Sequence, residues 1–248
     1  MDKQKFIETQ LKYINKVCEL HENIKHLDIS LSELHPIAVV DNNTFFVFDV
    51  KEHEKEYEFI MEYLSHWELP KGVLAAFPLD FYQNKSAAII SSSELENPDN
   101  YIFVFHEFVH CFVWNKCEPK LRKELMIEKQ HQDANNIMWE INYPFPYETP
   151  GLGDISDLIN YHKKMKECLK ETDFEYMIWQ EWKEGFARYA ENLLREELGL
   201  ERNTNILNPP FDRVCFYEIG SRYIKVLLEN DKTINGDLEK LFYKMMLK

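Results

Sequence analysis

Apolar residues recur at helical spacing near the start of the chain. Phe6, Leu11, Ile14, Val17, Cys18 and Ile24 share one face and predict a helix over 3–27. The pattern then tightens. IAVV-DNNT-FFVFDV (37–50) holds two apolar runs around an Asp-Asn-Asn turn and predicts a β-hairpin. Over 51–69, Tyr57, Ile60, Met61, Leu64 and Trp67 return to helical spacing, and Pro70 stops them. GVLAAF (72–77) and SAAIIS (86–91) read as strands, and Asn97-Pro98-Asp99 is a start signal for the next helix. Beyond that helix, periodicity predicts further helices over about 120–140, 154–171, 174–198, 211–229 and 233–247. The one clear break is YPFPYETPGLGD (143–154), rich in proline and glycine. A small mixed sheet followed by helices gives an α+β class. The pattern predicts a single domain over 1–248: a helix-plus-sheet part to residue 95 and a mainly helical part from 96.

The helix after Asp99 is the most apolar stretch of the chain. Residues 101–114 read YIFVFHEFVHCFVW, and their only strongly polar side chains are His106, Glu107 and His110. Burying such groups without partners costs about 1–3 kcal/mol each, and more when they are charged. Something must satisfy them. The pattern H-E-x-x-H places two imidazoles one turn apart with a carboxylate beside them, which is the arrangement that binds zinc and activates a water. Cys111 follows a candidate ligand, but on a helix it points about 100° away from His110 and reads as core.

Composition narrows the class. Acidic residues outnumber basic ones 43 to 29, for a formal charge of -14, and no Lys/Arg stripe marks a nucleic-acid surface. Residues 1–20 carry mixed charge with no apolar core of signal-peptide length. The longest apolar run, Tyr101–Phe105, is far short of a membrane span. The five cysteines lack C-x-x-C spacing, which predicts reduced thiols in a cytoplasmic protein rather than a disulfide framework.

A catalytic zinc takes three protein ligands and a water. A metzincin would need Gly at 113 and His at 116, where this chain has Val113 and Lys116. The thermolysin-like spacing reaches position 130, which is Gln, with Glu124 and Glu128 nearby in an ordinary charged stretch. A better candidate is Glu184, in Trp182-Lys183-Glu184-Gly185-Phe186-Ala187-Arg188-Tyr189-Ala190-Glu191.

That segment resembles the glutamate helix of the gluzincin aminopeptidase family, a group of zinc metallopeptidases with a zincin-like fold. By this resemblance Glu184 is the third zinc ligand, with Lys183 standing where the family has Asn. Glu191 matches a family acid able to orient a ligand histidine. Asn115 matches the family's Asn after H-E-x-x-H. Tyr217-Glu218-Ile219-Gly220 is similar to the family's Y-E-K-G segment, which makes Tyr217 the donor to a developing oxyanion. Read from the residues alone, Tyr189, Tyr223 and His162 stay open as rival donors, and His162 as a rival ligand. The resemblance covers four short pieces within residues 106–220. The chain departs from the family in the long stretch between His110 and Glu184, and in lacking a G-x-M-E-N segment. That segment recognises the substrate's free amino end, so aminopeptidase specificity does not carry over.

The expectation is therefore a zinc-dependent hydrolase acting on a peptide or protein. His106, His110 and Glu184 bind Zn2+, Glu107 is the general base and Tyr217 the oxyanion donor. The strand before the zinc helix, Ser86–Ser91, is the expected edge for an extended substrate. Two rivals predict differently. A non-catalytic regulatory zinc protein binds metal without turnover, and a metal-free helical interaction protein binds none.

Overall fold

The computed structural model describes residues 2–51, 56–66, 70–125, 155–205 and 214–248. The class is α+β: a five-stranded mixed sheet and, among the described residues, eight α-helices. By contacts the chain forms two compact units. One holds residues 1–115 and 193–201, and the other holds 116–192 and 202–248.

The first unit opens with α1 (Lys3–Ile24), where the Asp2 carboxylate accepts from the Gln4 amide and caps the helix. Its predicted apolar face is the buried one, with Phe6, Ile14, Val17 and Ile24 all covered. Strands β1 (Ile37–Asp41) and β2 (Thr44–Val50) form the predicted hairpin. Asn42 and Asn43 make the turn at φ 45° and 62°, left-handed conformations that asparagine tolerates better than most residues. The sheet order is β3-β2-β1-β5-β4, with β3 (Tyr57–Leu64), β4 (Leu74–Leu79) and β5 (Lys85–Ser91). β1 and β5 run parallel, and every other neighbouring pair is antiparallel.

Two sequence expectations are corrected here. Residues 57–64 are a strand, not part of a helix over 51–69. The helical reading used Tyr57, Ile60, Met61 and Leu64, but Tyr57, Phe59, Met61 and Tyr63 also alternate at the strand period. Cross-strand packing decides between them: Phe59 meets Phe46 and Phe48 of β2, and Tyr63 stacks on Phe81 at 3.9 Å. The second correction concerns the edge. β5, which contains Ser86–Ser91, is flanked by β1 and β4, so its backbone is paired on both sides. The edge strands are β3 and β4.

After β5 come a short helix α2 (Ser92–Leu95) and a 3-10 turn in which the Asn97 side chain accepts from the Asp99 amide. α3 (Tyr101–Lys116) follows as the start signal predicts. It is apolar around its whole circumference and buried almost throughout, as such a helix must be in water.

The second unit contains α4 (Glu118–Leu125), α5 (Ile155–Cys168), most of α6 (Glu171–Glu197), α7 (Val214–Asn230) and α8 (Leu238–Met245). The predicted helices over 154–171, 174–198, 211–229 and 233–247 correspond to α5 to α8, with ends shifted by a few residues. The 143–154 break, Glu128 and the Glu124 side chain lie outside the described residues. Where α6 and α7 meet, side chains give way to backbone. A Cβ on Gly220 would lie 2.0 Å from the Glu181 carbonyl oxygen, and one on Gly185 would lie 2.6 Å from the Gly220 Cα. Only glycine permits that approach.

Candidate metal centre

α3 sets His106 and His110 one turn apart, their ring centroids 4.9 Å from each other and nearly perpendicular. His106, Glu107, His110 and Glu184 are 9%, 8%, 7% and 6% exposed, so four polar groups sit in largely desolvated surroundings. One candidate ligand atom from each of His106, His110 and Glu184 lies within 4.8 Å of the others. Ligands held tetrahedrally about 2.1 Å from a zinc ion stand roughly 3.4 Å apart, so a spread within 4.8 Å is of the order that one ion requires. Two imidazoles and one carboxylate match the donor set of a catalytic zinc, and the residues fit the ion.

The stretch of α6 that carries Glu184 is tied down residue by residue. Glu181 bonds His162 of α5 at 2.5 Å. The Trp182 indole N–H donates to the Leu238 carbonyl at 3.0 Å, and the Lys183 ammonium donates to Glu118 of α4 at 2.9 Å. Gly185 lies against the α7 backbone. Lys183 is thus occupied as the ionic partner of a carboxylate that is 2% exposed. The sequence reading missed Glu181, Glu118 and Gly220. A signal for the first was present: an acid between Trp179 and Trp182 is as anomalous as a histidine in α3.

Tyr217 stands in the first turn of α7, half-buried, with the Arg188 guanidinium 5.8 Å above its ring. Arg188 lies one turn beyond Glu184 on α6 and also bonds the Asn205 side chain at 2.8 Å. Of the rival donors, Tyr223 is fully buried, and its ring stacks on His162 at 4.2 Å. Burial pushes the Tyr223 hydroxyl pKa up, with the Glu181 carboxylate adding to the shift. Both ring nitrogens of His162 are engaged, by Leu158 and Glu181, and His162 is not in the cluster with His106 and His110. Glu191 is buried and accepts from the Asn203 amide group at 2.8 Å, with Arg188 3.4 Å away. It is no surface acid. Asn115 is exposed at the end of α3, and Cys111 is buried core as predicted. None of the five cysteines, all among the described residues, forms a disulfide.

No protein-family model, curated protein or solved structure matches the chain. Among the described residues, no helix is long and apolar enough to cross a membrane.

Proposed function

We propose that the protein is a zinc-dependent hydrolase that cleaves peptide bonds. The observation that carries the reading is the convergence of His106, His110 and Glu184, residues brought together from distant parts of the chain.

His106, His110 and Glu184 would hold the ion, which would supply positive charge to acidify a water and polarise a carbonyl. Glu107 is the neighbour that does not ligate. It takes a proton from the attacking water and returns it to the leaving amine. Tyr217 donates its hydroxyl to the oxyanion as the carbonyl becomes tetrahedral, with the guanidinium of Arg188 on its ring face. An extended substrate would need a free strand edge, which β3 and β4 have and β5 lacks.

Metal analysis of the purified protein together with a peptide-library digest tests this. One zinc per chain, lost in His110→Ala, with cleavage that a chelator abolishes, is the expected result. Zinc without turnover would favour a non-catalytic regulatory role, and no divalent ion at all would sink the reading.

A further inference from the structure

The His162–Glu181 pair plays no part in the chemistry just described, yet no other charged or titratable pair joining two helices is more deeply buried among the described residues: both side chains are 0% exposed. Its proton count follows from its geometry. His162 Nδ1 lies 2.8 Å from the Leu158 carbonyl oxygen, which can only accept, so Nδ1 carries hydrogen. The Nε2 to Glu181 Oε2 contact of 2.5 Å then needs a second proton, either on the imidazole or on the carboxyl. One proton is shared, and the pair as a whole is neutral. Tyr223 lies flat on the imidazole, with the two ring planes 20° apart, and its electron-rich face favours the proton on His162. Tyr161 and Tyr223 both feel the Glu181 charge and stay neutral, because burial pushes their hydroxyl pKa values up.

Such a pair adds little stability over an apolar pair of the same size. What it adds is direction: a short bond of fixed length and angle. Among the described residues Glu181 Oε1 accepts no hydrogen bond, so the single bond to His162 orients the whole carboxyl group. Glu181 lies one helical turn before Glu184, at the head of the run in which residues 181, 182 and 183 are each fastened to a different helix.

We propose that His162 and Glu181 are positioning residues: the hydrogen bond between them clamps α6 to α5 and holds Glu184 where a cation can use it. This rests on the reading of His106, His110 and Glu184 as a zinc site. The clamp is distinguishable from plain packing because two variants separate the bond from the charge. In Glu181→Gln the amide N–H donates to Nε2 of a neutral imidazole, keeping the bond without the shared proton. The double variant His162→Leu with Glu181→Leu removes the bond and leaves no buried orphan.

Zinc affinity is measured by competition with a chromophoric chelator, and folding by thermal melting followed by circular dichroism. The double variant should melt near the wild type but bind zinc roughly tenfold more weakly, the effect typical of losing a group that orients a ligand. Glu181→Gln should bind as the wild type does. A far-downfield proton resonance from the His162 ring should be present in the wild type and absent from Glu181→Gln. A double variant with undiminished affinity, or a Glu181→Gln protein as weak as the double variant, overturns the clamp alone. A wild type that shows the downfield resonance but takes up no zinc overturns the cation reading, and the positioning role with it.

Discussion

α3 and the centre of α6 bring polar chemistry into a buried setting in opposite ways. As far as Trp114, α3 is an apolar cylinder in which His106, Glu107 and His110 are the exceptions, all within five consecutive residues. In α6 nearly every side chain around Glu184 is polar or aromatic, and each is answered from elsewhere: Glu181 by His162, Trp182 by Leu238, Lys183 by Glu118. The first helix sets its two candidate ligands by spacing alone. The second holds its candidate through separate fastenings of the residues around it. A defect in α3 should therefore cost chemistry, whereas a defect around α6 should first cost order.

The largest expected effect is on the α3 side. Glu107→Gln should lower peptide hydrolysis by roughly 10²–10⁴-fold, the usual contribution of a general base, while zinc content stays at one per chain. Full activity with zinc bound would remove Glu107 from the chemistry, and α3 would be left with ligands only.

On the α6 side, Gly220→Ala forces a methyl group onto the Glu181 carbonyl, where backbone cannot yield as a flexible side chain would. Destabilisation of about 1–3 kcal/mol or more is expected, read as a lower midpoint in urea. An unchanged midpoint would mean that α6 and α7 do not rely on their close approach.

The smallest effect is a pH dependence. Burial, helped by Glu239, Glu118 and Asp237, pushes the Cys117 thiol from 9.0 up to about 12. A thiol that resists ionisation in the folded chain favours folding fully below pH 9.0, and loses that contribution as pH rises toward about 12. Cys117→Ala should flatten the alkaline decline in melting temperature across that window. An unaltered slope would place the loss on other groups.

The same contrast sets what could be read from the sequence. His106, Glu107 and His110 were legible because their signal is local and stands against an apolar background. The β1–β2 hairpin was legible for the same reason, with its turn chemistry printed between two apolar runs. Residues 57–64 were misread because both periods fit, and only the aromatic partners on β2 and at Phe81 choose between them. The interior position of β5 was hidden too, since strand order depends on which strand pairs with β1 across the whole sheet. Glu184 has no such local contrast, because its own helix is rich in acids. The fastenings of its neighbours at His162, Glu118 and Gly220 come from segments that no window of sequence contains.

The parallel pairing of β1 with β5 also bears on how the chain reaches this arrangement. Ile37 sits beside Ala88, with β2, β3 and β4 all lying between them in sequence. The outer pairs, β1 with β2 and β4 with β5, each close through a short connection, while the seam between them closes a loop of about fifty residues at greater entropic cost. The middle of the sheet thus carries the largest closure cost of its four pairings, and the strand leading into α3 depends on that seam for one of its two neighbours.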